Sequence, residues 1–299
     1  MFPIVPRRKI WFAFSGFLVA AAAASIALFG LNLGIDFTGG TRVQIHFETQ
    51  KPEKSAVKKV FESAVGAEKG EKITEVLDAN DFLIRSRKLD EKEISSLTDT
   101  LSKNFPDAKI VAVNTIGASV GAVFKKRAAW AIALAIVGII LFVAFAFRTV
   151  PDGYSSWSFG LATIVALAHD IFITVGFFAA INHFLGNEVD SLFITALLTI
   201  LGYSVNDTII VFDRVRENLL REKRKTFEQI AEKSVWDSMR RSINTSFSTL
   251  LVVGTMIFYF ASFDSLFSFF LALSIGILVG TYSSIFLATP LLVAWHRQK

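Results

Sequence analysis

The apolar run Leu192–Phe212 carries polar residues that its hydrophobicity does not explain. Asn206 and Asp207 stand near its second end, and Asp213 and Arg214 follow it directly. A charged Asp inside a membrane-spanning helix costs about 2.5–3.5 kcal/mol on insertion scales, and such a residue usually belongs to an ion or proton pathway. The alternative is a structural ion pair or a hydrogen bond between helices. Asp207 is therefore our first candidate for a group that carries a proton.

Three further residues could share this chemistry. His169 and Asp170 lie in the middle of the preceding apolar run, where they predict either a proton path or a packing contact. Arg241 begins the following run at a depth close to that of Asp207, either as a partner of that carboxylate or as an anchor at the interface. A carboxylate opposite a guanidinium stays charged more easily, and one in apolar surroundings takes up a proton more easily. We hypothesise that Asp207 moves between two such settings.

The sequence argues against other chemistry. Asp170 and Asp207 could form the dyad of an intramembrane aspartyl protease, but no Gly-x-Gly-Asp precedes either residue. The chain has no cysteine and no Gly-rich segment ending in Gly-Lys-Ser/Thr, so it lacks thiolate chemistry and a P-loop. We expect no catalytic residue, no metal and no cofactor. Any energy that the protein uses must come from an ion gradient or from a partner.

The composition predicts an integral membrane protein that is mainly α-helical. Hydrophobic residues make up 53% of the 299 positions and charged residues 19%, whereas soluble proteins carry about 25% charged residues. The first apolar run could be a signal peptide cleaved near Ser25, but it continues past that point and favours a span. The six predicted spans are Ile10–Leu33, Ala128–Phe147, Trp157–Ile181, Leu192–Phe212, Ser242–Phe263 and Leu266–Ala294.

The distribution of basic residues predicts the orientation. Residues 213–241 contain nine Lys and Arg, whereas residues 182–190 contain none. By the positive-inside rule, both termini and the 213–241 loop are cytoplasmic, and the segment between the first two spans is outside. We interpret the basic loop as an amphipathic helix at the membrane surface that contacts lipids, and not as a nucleic-acid site.

The polar segment 34–127 predicts one small α+β domain between residues 1–33 and the spans of 128–299. Period-two and helical patterns alternate along it in the order βαββαβ, which is the split arrangement of ferredoxin-like domains. A hairpin turn is expected at Asn80-Asp81. The predicted elements are Thr41–Glu48, Pro52–Val65, Lys72–Ala79, Asp81–Arg87, Asp90–Phe105 and Lys109–Ile116.

Small residues mark two sites of expected close packing. Gly276 and Gly280 form a GxxxG pair in the last span, and Gly117 and Gly121 form another at the entry to the second span. Such pairs allow helix backbones to approach closely, although the motif alone is weak evidence.

Five segments together resemble the SecF family, the smaller subunits of SecD–SecF export complexes. They are GIDFTGG with Gly34, Asp36, Gly39 and Gly40, IGASVG at 116–121, ALAHD at 166–170, GYSVNDTIIVFDRVREN at 202–218 with Asp213 and Arg214, and RSINTSFSTLLVV at 241–253. The resemblance implies a resistance-nodulation-division fold in which SecD supplies the other half of a twelve-helix unit. It also implies an inner-membrane protein that couples proton flow to preprotein movement through the SecYEG channel.

In this resemblance, the intramembrane Asp and Arg of the family fall on Asp207 and Arg241. The expected mechanism is that protonation of Asp207 changes helix packing and moves the 34–127 domain through the GIDFTGG junction. Two other classes stay open: a small-molecule or lipid exporter of the same superfamily, and a scaffold that holds SecD without a proton role.

Overall fold

The computed structural model describes residues 3–49, 52–66, 72–75, 80–148, 154–222, 224–261 and 263–296, with the backbone alone at 72–75 and 264. Among the described residues, six helices are long and apolar enough to cross a membrane. A small α+β domain sits at one end of this bundle, which we call the domain end; the opposite end is the far end. The six membrane helices and the α+β fold predicted from the sequence are both confirmed.

The α+β domain has the predicted order of elements. A four-stranded antiparallel sheet has the strand order β2-β3-β1-β4, and two helices cover one of its faces. The elements are β1 (Gly40–Phe47), α3 (Lys54–Val65), β2 (Lys72–Glu75), β3 (Asp81–Ser86), α4 (Glu91–Asn104) and β4 (Ala108–Ile116), preceded by the short helix α2 (Ile35–Thr38). Residues 76–79, which precede the predicted hairpin turn, lie outside the described residues.

Local sequence signals explain why these elements form where they do. Asp90 caps α4 and makes a capping box with Glu93, so that the helix begins at the residue that follows Asp90. In β1, Val43, Ile45 and Phe47 alternate inward and are fully buried against the helices. The other face of the sheet is polar and is turned towards the membrane helices, as the contacts of the junction below demonstrate.

The membrane helices begin and end at positions that differ from the predicted ones. They are α1 (Arg8–Phe29), α5 (Ala118–Ala146), α6 (Ser156–Leu185), α7 (Ser191–Arg221), α8 (Phe227–Tyr259) and a last span formed by α9 (Asp264–Ser283) and α10 (Thr289–His296). Gly30, with φ of 67°, ends α1 before the predicted Leu33. Helix α5 begins ten residues before Ala128, so the predicted domain boundary at residue 127 falls inside this helix.

The basic segment 213–241 is not a separate surface helix, which corrects that interpretation. Helix α7 continues to Arg221 and α8 begins at Phe227, so the two form one long helical hairpin that extends from the far end. Thr226 and Gln229 form a capping box at the start of α8. Charged i,i+3 and i,i+4 pairs along the hairpin make a continuous helix compatible with water there.

The six spans divide into three central and three peripheral helices. In the most apolar stretches of α6, α7 and the last span, half of the residues are buried, whereas in those of α1, α5 and α8 at most 17% are buried. The last span contains one π-helical turn, Ser284–Ala288, between α9 and α10. Pro290 follows this turn. A proline in a helix lacks the N–H group and clashes with the carbonyl four residues earlier, and the wider π-helical turn accommodates that displaced carbonyl.

Candidate functional site

Asp207 lies on α7 and points into the bundle, with only 5% of its surface exposed. The hydroxyl of Ser242 on α8 donates a hydrogen bond of 2.5 Å to its Oδ1. The other oxygen, Oδ2, is buried and accepts no hydrogen bond from any described residue. Oδ2 can therefore bind a proton or accept a hydrogen bond from another chain.

Arg241 precedes Ser242 on α8, and Asn206 precedes Asp207 on α7; both side chains are exposed. No ion pair within 4.0 Å joins Arg241 to Asp207 in the part of the chain that the structure describes. Neighbouring residues on a helix point about 100° apart, so Ser242, and not Arg241, faces Asp207. Arg241 thus lies next to the residue that contacts Asp207 but is itself exposed, and its pairing with Asp207 stays a prediction.

Asp170 is fully buried, and three side chains on three different helices hold its carboxylate. Oδ1 lies 2.9 Å from Nδ1 of His169, and Oδ2 accepts hydrogen bonds from Ser204 on α7 at 2.5 Å and from Ser283 on α9 at 2.7 Å. The second ring nitrogen of His169, Nε2, is buried without a partner among the described residues. Asp170 therefore joins the three central helices.

A second set of hydroxyl contacts lies one turn further along α7. Thr208, the residue after Asp207, is 2.9 Å from Ser284 in the π-helical turn. Ser246 on α8 contacts both Thr281 on α9 and Tyr203 on α7. Asp170 and Thr208, the neighbour of Asp207, thus contact the adjacent residues Ser283 and Ser284 where the π-helical turn begins, and such turns are frequent at functional sites.

The GIDFTGG segment connects the α+β domain to the start of α7. The amide of Gly34 donates to the carbonyl of Val189 at 2.8 Å, and Oδ2 of Asp36 accepts a hydrogen bond of 2.9 Å from the amide of Ser191. Ser191 is the first residue of α7. Asp36 therefore satisfies one of the free N–H groups of the helix that carries Asp207.

Two arginines of the open sheet face complete this junction. Arg85 on β3 donates to the carbonyl of Leu33 at 2.6 Å and pairs with Glu188 at 3.2 Å. Arg42 on β1 donates to the hydroxyl of Ser265 at 3.3 Å. The domain is thus held against the loop between α6 and α7 and against the start of α9.

Three of the motif glycines occupy places that a side chain cannot enter. Gly39 has φ of 73°, and a Cβ there would lie 2.8 Å from Cα of Ala118; Gly40 has φ of 127°, and a Cβ would lie 2.5 Å from the carbonyl of Ser86. A Cβ on Gly121 would lie 3.0 Å from the amide of Gly39. Gly117 is the N-cap of α5. The GIDFTGG segment and the Gly117/Gly121 pair therefore pack against each other where α5 begins.

The adjacent Asp213 and Arg214 do not pair with each other. Asp213 binds Arg216 and Arg214 binds Glu217, both at i,i+3 spacing on the exposed surface of α7. They belong to the helical hairpin of the far end and lie apart from the buried polar residues.

Sequence reasoning missed the residues that hold the buried carboxylates. Ser204, Ser283 and Ser284 were not singled out, and neither were Arg85 and Glu188. Serines at helix positions inside apolar runs look like ordinary small residues, because only a partner on another helix shows what the hydroxyl is for. The one available signal was the presence of three consecutive polar residues, Tyr282 to Ser284, in the last apolar run.

Six spans around buried carboxylates, with one ferredoxin-like domain docked at one end, define a multi-pass membrane protein. Two family models match it: "Protein export membrane protein SecD/SecF, C-terminal" over residues 96–298 and "SecD/SecF GG Motif" over residues 24–51. The chain belongs to the SecD/SecF family of protein export membrane proteins.

Two curated relatives illustrate the similarity. The protein translocase subunit SecF of Thermobaculum terrenum is 37% identical over 100% of this chain and 95% of that protein. The protein translocase subunit SecDF of Bacillus subtilis is 35% identical over 98% of this chain but only 38% of its own length.

Solved structures extend the match to the fold. The crystal structure of SecDF from Thermus thermophilus superposes with a TM-score of 0.86 at 32% identity, covering 100% of this chain and 39% of that chain. A crystal structure of SecDF in a super-membrane-facing form gives a TM-score of 0.66, also at 32% identity and covering 39% of that chain. At equal identity, the present arrangement is much closer to the first structure.

Proposed function

We propose that this protein is a subunit of a translocation complex that is driven by the proton-motive force and that, with SecD, assists the export of preproteins through the SecY channel. The observation that carries the proposal is Asp207, a buried carboxylate with one oxygen unsatisfied by the described residues. It lies on the helix whose first residue is bound by the domain through Asp36. A change of charge at Asp207 therefore acts on α7, a helix whose first residue contacts the domain.

Asp207 and the start of α7 are close enough to be connected by a rigid helix. Asp207 and Ser191 are separated by 16 positions, about 24 Å along α7. Helix α7 packs closely on α9, α8 and α6, so it moves as a unit with its neighbours and not by bending. Protonation of Asp207 at the free Oδ2 removes the negative charge and weakens the hydrogen bond that Oδ1 accepts from Ser242, which changes the contact between α7 and α8.

One side of the α7–α8 pair has the character of a subunit interface. Asp207 on α7 contacts Ser242 on α8, and the two helices are antiparallel. Asn206 precedes Asp207 and Arg241 precedes Ser242, so these two exposed side chains lie on the same side of the helix pair. An exposed Arg or Asn is costly against lipid tails. Small exposed residues accompany them on that side: Thr199, Gly202, Thr245 and Ser248. Small residues allow another helix to approach closely.

We assign this side to SecD. The Bacillus subtilis relative and the solved SecDF chains are more than twice as long as this chain, which leaves room for a second half. Arg241 would then act on Asp207 from the interface between the two subunits, with a SecD helix covering both. The role of His169 and Asp170 in this proposal is to fix the central helices around which that interface is built.

The energy available is of the right order. One charge crossing 100 mV supplies about 2.3 kcal/mol, and about 5.5 kcal/mol moves an equilibrium from 1:99 to 99:1. Three protons per cycle, which supply about 6.9 kcal/mol at 100 mV, are therefore enough to move the domain between two arrangements. The two SecDF crystal structures, which match this chain so differently at equal identity, support the existence of more than one arrangement.

The charges also support the proposed orientation, with both termini in the cytoplasm of the cell and the domain outside the inner membrane. Arg7, Arg8 and Lys9 and the basic helical hairpin lie at the far end, whereas the described domain-end loop 182–190 carries only acidic charges. Basic residues concentrate on the cytoplasmic side.

The test is preprotein export into proteoliposomes that contain this chain, SecD and the SecYEG channel, with and without an imposed proton gradient. We expect the gradient to stimulate export with the wild type and to have no effect with Asp207→Asn, because the amide cannot carry a proton. Glu217→Gln, which removes an exposed carboxylate of the same helix, serves as the matched control and should keep the stimulation.

Other outcomes assign the other classes. Unchanged gradient stimulation in Asp207→Asn would support a scaffold that holds SecD without a proton role. Gradient-dependent flux of a small molecule or lipid in vesicles without preprotein would indicate an exporter of the same superfamily.

A further inference from the structure

An open apolar groove runs along the bundle between α1, α5, α6 and α7, away from both carboxylates. It has a volume of about 400 Å³ and is lined by aliphatic and aromatic side chains throughout, among them Ile26, Ile132, Ile136, Ile139, Ile171 and Phe172. A cavity of about 150 Å³ already accepts benzene when its walls are apolar. The groove is thus large enough for a flexible hydrocarbon chain.

A lysine stands on the same face of α5 as the groove. Lys125, Ile132, Ile136 and Ile139 recur at spacings of seven, four and three residues, which places them on one side of the helix. Lys125 lies about 10 Å from Ile132 along the axis, towards the domain end. Its neighbour Lys126 flanks this face. Both side chains are exposed, and no hydrogen bond or ion pair joins either to another described residue.

The depth of the lysines matches that of lipid headgroups. The apolar part of α5 begins at Ala128, just after Lys125, Lys126 and Arg127. Trp130, one turn further, is 61% exposed, and exposed Trp residues collect at the membrane–water interface. The positive charges therefore lie at the domain end of an apolar groove that continues towards the middle of the membrane.

We propose that this groove binds an anionic phospholipid of the leaflet on the domain side. One acyl chain lies between Ile132 and Phe172, and the phosphate is bound by Lys125 and Lys126. A positive headgroup site about 10 Å from an apolar groove, on the same face of α5, fits one molecule that has both a phosphate and a hydrocarbon tail. Neutral lipids supply the tail without the charge.

The groove is also free when a partner covers the α7–α8 side. Leu201 lines the groove from α7 and lies about 140° around that helix from Asn206, which is on the proposed SecD side. A lipid bound here would fill the space beside α5, the least buried span, and hold this helix against α6.

The experiment is native mass spectrometry of the full chain, alone and with SecD, after reconstitution with equal amounts of phosphatidylglycerol and phosphatidylcholine that have the same acyl chains. We expect retained phosphatidylglycerol to exceed phosphatidylcholine by about fivefold for each contacting lysine. Lys125→Gln with Lys126→Gln should abolish this preference. Ile136→Trp, which fills the groove, should reduce the retention of both lipids. Lys92→Gln with Lys103→Gln removes two exposed charges from α4 and should change nothing.

Three results would overturn the proposal. Equal retention of the two lipids by the wild type would remove the headgroup site, and displacement of the signal by inorganic phosphate alone would assign the lysines to a free anion. Loss of SecD from the Ile136→Trp protein with unchanged lipid retention would assign the groove to a helix of the partner.

Discussion

Asp170 and Asp207 are buried carboxylates in the same bundle, but their hydrogen bonds differ. Asp170 has both oxygens occupied by side chains of three helices, because His169 contacts Oδ1 and both Ser204 and Ser283 donate to Oδ2. Asp207 has one occupied oxygen and lies beside the face that carries Arg241. We propose that Asp170 positions the helices, whereas Asp207 is the group that gains and loses a proton.

A prediction at the residue scale follows for Asp170. Asp170→Ala should lower the free energy of unfolding by about 2 kcal/mol or more, because His169 and Ser204 lose this hydrogen-bond partner in a buried site, whereas Ser283 can still donate to the carbonyl of Gly280. Asp170→Asn should lower it less, since the amide oxygen still accepts. Thermal unfolding of the purified protein in detergent measures the difference.

Thr174→Val provides the control on the same helix. The Thr174 hydroxyl donates only to the backbone carbonyl of Asp170, four residues earlier, so its removal leaves no side chain unpaired. If Thr174→Val and Asp170→Ala destabilised the protein equally, the proposed joint between three helices would not exist.

At the scale of the elements, close contacts between helix backbones decide which spans are neighbours. Gly176 on α6 faces Ala22 on α1, where a Cβ on the glycine would lie 2.5 Å from Cα of Ala22. The same contact brings the Ser25 hydroxyl within 2.7 Å of the Gly176 carbonyl. The GxxxG pair of the last span behaves similarly, because Gly276 and Gly280 face Ile200 and Ser204 on α7.

Gly176→Ala should force α1 away from α6, because the atoms that it meets belong to backbone and cannot rotate aside. Overpacking of this kind costs about 1–3 kcal/mol, and the Ser25 hydrogen bond is lost as well. The same detergent unfolding assay should show a lower Tm. Gly138→Ala on α5, where no atom lies within 4 Å, should leave the Tm unchanged or slightly higher. Equal effects of the two substitutions would contradict the close contact.

At the scale of the whole molecule, the domain is docked by a few polar contacts and by Phe37 of α2, which packs against apolar residues of the membrane helices. The α+β domain has its own core around Val43, Phe61 and Phe82, which is separate from the two cores of the membrane helices. Arg85, Arg42 and Asp36 supply the long-range contacts across the junction. Such a joint can be broken and remade without unfolding either part, which suits a domain that moves.

Arg85→Ala should release one side of the domain, because it removes the contacts to both Leu33 and Glu188. The chain has no native cysteine, so spin labels at Lys103→Cys and Phe184→Cys report the distance between the domain and the membrane helices. Pulsed electron paramagnetic resonance should give one narrow distribution for otherwise unchanged protein and a broader one with Arg85→Ala.

Lys109→Ala is the matched control for that measurement, because Lys109 pairs with Glu48 inside the domain. Its distance distribution should equal that of the parent. A narrow distribution with Arg85→Ala would mean that the remaining contacts, at the glycine motifs and Asp36, hold the domain by themselves.

The sequence by itself determined the elements of this protein. Apolar runs of membrane length predict six spans, because a helix in lipid must satisfy its backbone internally, and alternating patterns predict the βαββαβ order. Helix ends were less well predicted. The charges of residues 213–241 suggested a loop, whereas i,i+3 and i,i+4 pairs let α7 and α8 continue beyond the apolar layer.

Only the tertiary structure decided which polar residues meet. Ser204 and Ser283 reach Asp170 across 34 and 113 positions, and Ser242 reaches Asp207 across 35. Such contacts depend on the rotation of each helix about its axis, which packing against neighbours determines and a one-dimensional pattern does not contain. For the same reason, Ser242 contacts Asp207 whereas the preceding Arg241 lies on the exposed side of α8, because one position along a helix turns a side chain by about 100°.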